Sequence, residues 1–423
     1  MSKICVPIVG PTLVDAQRQL REAEQCADLV EFRSDQFAHL TTSLPVIFKV
    51  TSLKQIELLD LRPDYVDVDE SLCEQLLPHC PPETKVICSF HDFEGMPDLE
   101  KTLARLRRHK VALYKIAGMA ESALDALEVL ECMRRHPDVI GVAMGEGGQA
   151  SRMLVGLVSD LWTYAPLVRE EGTAPGQLTV EELKRDVGKK TAVYGVMGDP
   201  VRFSPGPQFH NARFECDAIY VPFLVQKGEA AEFLAAAARL GVRGLSVTMP
   251  LKKEVIPGEV INTLTWEREW KGDNTDGPGA LDCVMPVAGK KVAVLGRGGT
   301  GLAVAAEAER RGAEVRIFNR NWGELKSFEY DTLIHCTPVG MDRERDACPI
   351  DVSLIRKGAT VLDVVARETR LVREARARGC RVATGKEMFE NQALLQRKRW
   401  FGEEIDSDCA GESAERLPAG SSL

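Results

Sequence analysis

The sequence has no uninterrupted apolar run of about 18 residues, so nothing in it reads as a membrane-spanning helix. Nor does it have an excess of basic charge: 54 Lys plus Arg face 63 Asp plus Glu, a formal net charge of −9. That balance excludes a nucleic-acid or anionic-membrane surface as the working partner. Its twelve cysteines are scattered singly, Cys73 and Cys80 being the closest pair, and no Cys-x-x-Cys or Cys/His group has zinc-site spacing. A reducing cytoplasm and the absence of a bound metal follow as expectations. The opening MSKICVPIVG is too interrupted by Pro7, Gly10 and Pro11 for a signal peptide and reads as a first β-strand.

What remains is ordinary globular composition: 423 residues, 44% apolar and 28% charged, enough for two or three domains with full cores. From residue 1 to about 166, eight apolar runs alternate with segments of helical composition. The runs are KICVPIVG, DLVEFRSD, LPVIFKVT, YVDVDE, KVICSFHD, VALYKIAG, VIGVAMG and LWTYAPL. This α/β rhythm predicts a (β/α)8 barrel over 1–187, its last helix starting at Thr179, where TVEE has the form of a capping box. A second series, TAVYGVMG, IYVPFLV, LSVTMP and VINTLTW, predicts an α/β substrate-binding domain over 188–288. A third, beginning KKVAVLGRGGTG, predicts a dinucleotide-binding domain over 289–384, followed by a helix over 385–402 that returns to the substrate domain. Residues 403–423 carry six carboxylates and one Arg among Ser, Gly and Ala, and read as a disordered acidic tail.

Polar residues recur at the C-terminal ends of barrel strands: Glu31, Arg33 and Asp35, then Lys49, Asp69, His91 and Lys115. That face of a barrel is where active sites are assembled, and unpaired charge buried elsewhere would cost several kcal/mol. Lys115 follows the apolar VALY, so desolvation and neighbouring cations are expected to lower its pKa and free the amine to attack a carbonyl. His91, one strand earlier, is suited to moving a proton beside it. In the third series Gly296, Gly298, Gly299, Thr300 and Gly301 stand between a strand and a helix, where backbone N–H groups and the helix dipole converge on a pyrophosphate. The next strand ends in RIFNRN, where Asn319 and Arg320 replace the acid usual in NAD enzymes; a guanidinium suits a 2′-phosphate, so NADP(H) is the expected cofactor. Lys252 and Asp276, in the polar turns SVTMPLK and DNTDGPG, are a candidate proton-transferring pair.

In order along 1–187, VEFRSD, YVDVDE, ICSFHDFEGMP, LYKIAG, MGEGGQASR and TAPGQL resemble the type I 3-dehydroquinate dehydratases, which are (β/α)8 barrels. The resemblance makes Lys115 the imine-forming lysine and His91 the proton shuttle, with Glu31, Arg33, Lys49, Asp69, Arg152, Thr173 and Gln177 around the substrate. Lys49 stands where the family has arginine, and Asp69 where it has glutamate. Across 189–402, YGVMGDPVRFSPGPQFHN, SVTMPLK, VINTL, GDNTDGPG, GRGGTG, NRN, CTPVGM and GKEMFENQA resemble shikimate dehydrogenase. This implies Lys252 and Asp276 as the catalytic pair, Ser204, Thr248, Asn262 and Gln392 as substrate contacts, Thr337 as a cofactor contact, and Gly340 and Met341 in the loop bordering the nicotinamide. Gly206, Ser246, Phe203 and Ala366 depart from that family's pattern. The fold implied is a barrel followed by a two-domain shikimate-dehydrogenase-like unit with a Rossmann NADP-binding domain.

Together the halves resemble bifunctional 3-dehydroquinate dehydratase/shikimate dehydrogenases. The activity implied is dehydration of 3-dehydroquinate followed by NADPH reduction of 3-dehydroshikimate to shikimate. The small-molecule partners are those three compounds, and a bacterial cytoplasm suits a chain without a plastid transit peptide. A quinate/shikimate dehydrogenase using NAD and a non-catalytic metabolite-sensing regulator are the alternatives, and oligomeric state is left open.

Overall fold

The computed structural model describes residues 2–33, 35–37, 39–183, 187–319, 323–341 and 346–402. It divides into two compact units, Met1–Val255 and Ile256–Leu423. Among the described residues no helix is long and apolar enough to cross a membrane.

The first unit opens with eight strands: β1 (Lys3–Ile8), β2 (Leu29–Phe32), β3 (Val46–Val50), β4 (Tyr65–Asp69), β5 (Lys85–Asp92), β6 (Leu113–Met119), β7 (Val139–Met144) and β8 (Trp162–Tyr164). They pair in the order β7-β6-β5-β4-β3-β2-β1-β8, with parallel ladders, as a nearly closed barrel. All eight coincide with the apolar runs of the sequence. Those runs are continuous rather than alternating because both faces are covered. Cys5, Leu29, Ile47, Ile87, Ile140 and Trp162 fill the inside, while Ile4, Val6, Val30 and Phe48 pack outward. In a strand every second side chain shares a face, so Glu31, Lys49, Asp67, Ser89, His91 and Lys115 are in phase with the inward set and come one or two steps later, toward the C-terminal mouth.

The outer helices are α1 (Leu13–Ala23), α2 (Glu70–Leu76), α3 (Leu99–Leu106), α4 (Ala123–Arg135) and α5 (Gln149–Leu154). Two expected crossover helices are reduced to 3-10 segments, Asp35–Phe37 and Leu53–Leu61, the second ended by Arg62 in the left-handed region at φ 52°. The Thr179 capping box does form, with Glu182 Oε2 accepting from Thr179 N at 2.9 Å and Glu182 N donating to Thr179 Oγ1 at 3.3 Å. Residues 180–183 nevertheless make only a turn.

The rest of this unit is β9 (Ala192–Gly198), α6 (Gly206–Asn211), β10 (Ala218–Leu224), α7 (Ala230–Leu240) and β11 (Val242–Val247), with the strands parallel in the order β10-β9-β11. Helix α4 of the barrel packs on α7, and Arg134 donates to the α7 carbonyl of Arg239 at 3.1 Å.

The second unit holds the antiparallel hairpin β12 (Thr263–Trp266) and β13 (Trp270–Asp273), then α8 (Asp276–Val284). A five-stranded parallel sheet follows, ordered β15-β14-β16-β17-β18. Its strands are β14 (Lys291–Leu295), β15 (Glu314–Phe318), β16 (Thr332–His335), β17 (Thr360–Asp363) and β18 (Arg381–Thr384). Helices α9 (Gly299–Arg310), α10 (Gly323–Phe328) and α11 (Arg370–Ala377) cover it, with one apolar core on each face, the doubly wound arrangement. Helix α12 (Gly385–Phe401) returns to the hairpin and α8: Gln396 Nε2 donates to Asn262 O at 3.0 Å and Trp400 Nε1 to Leu264 O at 3.1 Å.

At the barrel's first turn, buried Gln19 of α1 accepts from Val9 N at 2.9 Å and Gly10 N at 2.8 Å, taking up the two amides that leave β1. Gln19→Leu keeps the bulk and strands both donors, so it should destabilise the barrel by about 1–3 kcal/mol for each amide left without water. Urea denaturation of the intact chain reads the loss directly; an unchanged midpoint would mean that the amides find other partners.

Candidate active sites

The barrel mouth is organised around a residue the strand-end rule passes over. Asp67, mid-strand in β4 and 0% exposed, accepts from Lys49 Nζ at 2.7 Å and from Lys115 Nζ at 2.9 Å. Lys49 also donates to Ser89 Oγ at 3.0 Å. Glu31 lies 3.8 Å from Lys115 through Oε2, and its Oε1 pairs with Arg33 Nε at 3.1 Å. The Lys115 ammonium sits 4.2 Å from the centroid of the buried Tyr164 ring.

These contacts set the protonation states. Burial alone would lower the Lys115 pKa, but Asp67 and Glu31 outweigh it and hold the amine well above the ordinary lysine value. The expectation of a lowered pKa is therefore corrected: the nearest groups are carboxylates, and the neighbouring Lys49 ammonium is itself bonded to Asp67. Burial likewise works against ionised Asp67, and Lys115 and Lys49 override it, keeping the carboxyl well below its usual range. His91 goes the other way. Burial, then the positive charges of Lys115 and Lys49, push its imidazole down to about 3, so it is a neutral base at any ordinary pH.

Arg152, on α5, is buried, with Nη1 donating to Tyr164 O at 3.3 Å. Its Nε and Nη2 are buried without a hydrogen-bond partner among the described residues, and burial lowers its pKa to about 10, leaving it charged. A guanidinium is able to pair a carboxylate through two such donors at once. Gln177 is folded into its own loop, accepting from Thr173 N at 2.8 Å and Ala174 N at 3.3 Å. The loop lies close on the β7 turn: a Cβ at Gly176, at φ +67°, would fall 2.3 Å from Gly145 O. Asp69 instead caps α2, accepting from Ser71 N at 3.1 Å. So Lys115, Lys49, Glu31 and Arg33 form one contact network through Asp67.

Of the site residues expected beyond the barrel, the first unit carries Ser204, Thr248 and Lys252. Ser204 Oγ accepts from Gly206 N at 3.2 Å, and Thr248 N donates to Met197 O at 3.0 Å, holding the ends of β11 and β9 together. Lys252 is half-buried in a 3-10 turn after β11. Tyr220, which no motif marks, connects two of the departures noted above: its hydroxyl donates to Ser246 Oγ at 2.6 Å, and a Cβ at Gly206 would come within 3.0 Å of its ring and hydroxyl. Gly206 and Ser246 are thus one packing solution around a buried tyrosine. Phe203 is 74% exposed beneath the Arg202 guanidinium.

The second unit brings Asn262, Asp276, Gln392 and Thr300 together. Asn262 Nδ2 points at Asp276 Oδ1 at 2.8 Å, Thr275 Oγ1 at 2.9 Å and Gln392 Oε1 at 3.2 Å, while Thr300 Oγ1 donates to Asp276 Oδ2 at 3.2 Å. Thr300 belongs to the glycine loop, whose geometry fits a dinucleotide phosphate. Gly296 has φ +109°, a Cβ at Gly301 would lie 2.2 Å from Gly296 O, and Gly298 borders open space. Gly299 opens α9. Asn319 is exposed at the end of β15; Arg320 lies outside the described residues. Thr337, Gly340 and Met341 follow β16, and Met341 is exposed.

Residues 49–187 match the family described as type I 3-dehydroquinase, and 196–265 the shikimate dehydrogenase substrate binding domain. The chain is 29% identical to the shikimate biosynthesis protein AroDE of Chlamydia pneumoniae, covering 94% of this chain and 95% of that one. Against the bifunctional 3-dehydroquinate dehydratase/shikimate dehydrogenase of Arabidopsis thaliana identity is 28%, over 93% and 81% of the two chains. It is 33% identical to the shikimate dehydrogenase (NADP(+)) of Pyrococcus furiosus over 52% of this chain and 94% of the other.

His91 has a direct test. In the ligand-free chain an NMR titration of its imidazole should show no protonation until about pH 3. Between that value and the unfolded value near 6.5, only the unfolded chain binds this proton, so the barrel loses stability as pH falls through the window. His91→Phe should flatten that slope. A His91 midpoint near 6.5 would contradict the electrostatics described here.

Proposed function

We propose, since the chain belongs to the shikimate dehydrogenase family and carries a type I 3-dehydroquinase domain ahead of it, that its two sites catalyse consecutive steps on one carbon skeleton. The barrel dehydrates 3-dehydroquinate to 3-dehydroshikimate, and the following module, 188–402, reduces that ketone to shikimate with NADPH. The observation that carries the reading is the barrel array: a buried lysine held between Asp67 and Glu31, one neutral imidazole, and one buried guanidinium with donors to spare.

Arg152 holds the substrate carboxylate through its unmet Nε and Nη2. Lys115, once it has given up a proton, attacks the ketone, and loss of water leaves an imine whose cationic nitrogen acidifies the adjacent C–H. His91 takes that proton, and the electron pair expels the hydroxyl, which leaves as water with a proton returned from His91. Hydrolysis of the imine releases the enone and restores Lys115. Asp67 and Glu31 offset the positive charge that lysine carries before attack and the imine carries after it. Glu31 and Arg33 meet the ring hydroxyls, while Gln177 and Thr173 belong to the loop that covers them.

In the reductase, Gly296, Gly298, Gly299, Thr300 and Gly301 would hold the NADPH diphosphate, and NADPH supplies the hydride. Lys252 and Asp276 serve as the proton-transferring pair for the developing alkoxide; Ser204, Thr248, Asn262 and Gln392 bind the substrate. The proposed setting is the cytoplasm, where scattered thiols stay reduced.

Borohydride added with 3-dehydroquinate reduces an imine to a stable amine, so peptide mapping should place the adduct on Lys115. Lys115→Ala should abolish dehydration, and His91→Ala should slow it by about 100-fold or more. Both variants should reduce 3-dehydroshikimate at the wild-type rate. An adduct on another lysine, or dehydration surviving Lys115→Ala, would end the imine reading.

A further inference from the structure

One buried titratable group of the second unit has no part in the steps above. His335 ends β16 and Asp363 ends β17, and the parallel register sets them side by side. Both side chains are 0% exposed. Nδ1 of His335 lies 3.0 Å from Asp363 Oδ1, and Nε2 lies 2.5 Å from Thr337 Oγ1. The chain of contacts continues on the far side: Asp363 Oδ2 accepts from Thr369 Oγ1 at 2.6 Å, and Oδ1 also accepts from Val365 N at 3.0 Å.

Both ends of this network finish on one turn. Thr337 begins the turn after β16, and its Oγ1 also accepts from Val339 N at 3.3 Å. Thr369 backs the turn's far end, since its Cγ2 lies 3.1 Å from where a Cβ on Gly340 would stand, and Gly340 itself has φ +91°. Arg367 Nε donates to Gly340 O at 2.6 Å. Thr337 reaches forward as well, its Cγ2 lying 2.8 Å from the Cβ position of Gly296, the first glycine of the phosphate loop.

We propose that His335, braced by Asp363, is a positioning residue for the dinucleotide, fixing the turn from Thr337 to Gly340 and the face of Thr337 that meets Gly296. The inference rests on the reading of this unit as the NADP-binding domain. The chemistry needs a group that bonds at both ends at once. A carboxylate accepting from Nδ1–H selects the tautomer whose Nε2 is an acceptor, so the Thr337 hydroxyl proton is spent on the ring and its oxygen is aimed. No aliphatic side chain does this, and a lysine has no acceptor. Because the network is buried, a missing member leaves its neighbours unpaired, and the turn loses its fixed place.

The test uses the full chain and NADP+ titrated calorimetrically, with no turnover required. His335→Leu should weaken NADP+ binding by roughly 10-fold, as loss of one or two hydrogen bonds implies. Thr337→Val should do the same, the double variant should be no worse than either single one, and Thr337→Ser should bind within about twofold of wild type. Shikimate binding and dehydration should be unchanged in all of them. Should His335→Leu fail to fold because Asp363 is orphaned, Thr337→Val and Thr337→Ser, which leave the buried pair intact, still decide. Wild-type NADP+ affinity in Thr337→Val, or losses that add, overturns the clamp. A wild-type chain that takes up no NADP+ overturns instead the cofactor reading beneath it.

Discussion

A single carboxylate between two ammonium groups fixes the character of the barrel. Asp67 is 0% exposed and bonds Lys49 and Lys115 at 2.7 and 2.9 Å. Removing one member of such an array leaves an uncompensated buried charge, typically a loss of about 3–5 kcal/mol. The array also sets the resting charge of each group. Lys115 stays protonated against its own burial, and the charges on Lys115 and Lys49 help drive His91 to neutrality. One environment thus keeps the lysine charged and the imidazole neutral and able to accept a proton. The parallel register supplies the placement: Lys49 sits opposite Asp67, and Ser89 opposite Lys115, on neighbouring strands.

The second unit solves its own problem by a related device. Asn262 gathers Asp276, Thr275 and Gln392, and Gln396 of α12 ties the backbone of Asn262 to the C-terminal helix. Asp276 also accepts from Thr300, so the carboxylate assigned to proton transfer is bonded to the glycine loop assigned to the cofactor. In both units buried polar groups with few degrees of freedom hold the candidate site residues, which is the preorganisation that a site built on strand ends allows.

Much of this was legible in the sequence. The eight barrel strands show themselves because a strand covered on both faces reads as a continuous apolar run, and the glycine loop because its strand and helix flank it. Asp67 escapes the strand-end rule, which singles out Asp69, whose carboxylate caps α2; the parity of Asp67 with Lys49 and Lys115 is the available signal. The direction of the Lys115 shift could not be read, because it depends on which neighbours come within 3 to 4 Å across strands. Short strands such as β13 and β18 carry too few apolar residues to stand out. Tyr220 and the His335 network depend on packing between segments far apart in sequence, and local pattern says nothing of either.

In the proposed function one chain performs dehydration and reduction in that order on one carbon skeleton. A single progress curve tests it: the full chain, 3-dehydroquinate and an excess of NADPH, with enone absorbance and NADPH followed together. The enone should rise and then decay as one NADPH is consumed per substrate, and Lys115→Ala should show neither change until 3-dehydroshikimate is supplied. Enone that accumulates without NADPH loss would contradict the reductase assignment. NADPH loss without an enone requirement, surviving Lys115→Ala, would mean direct reduction of 3-dehydroquinate and would contradict the order of steps.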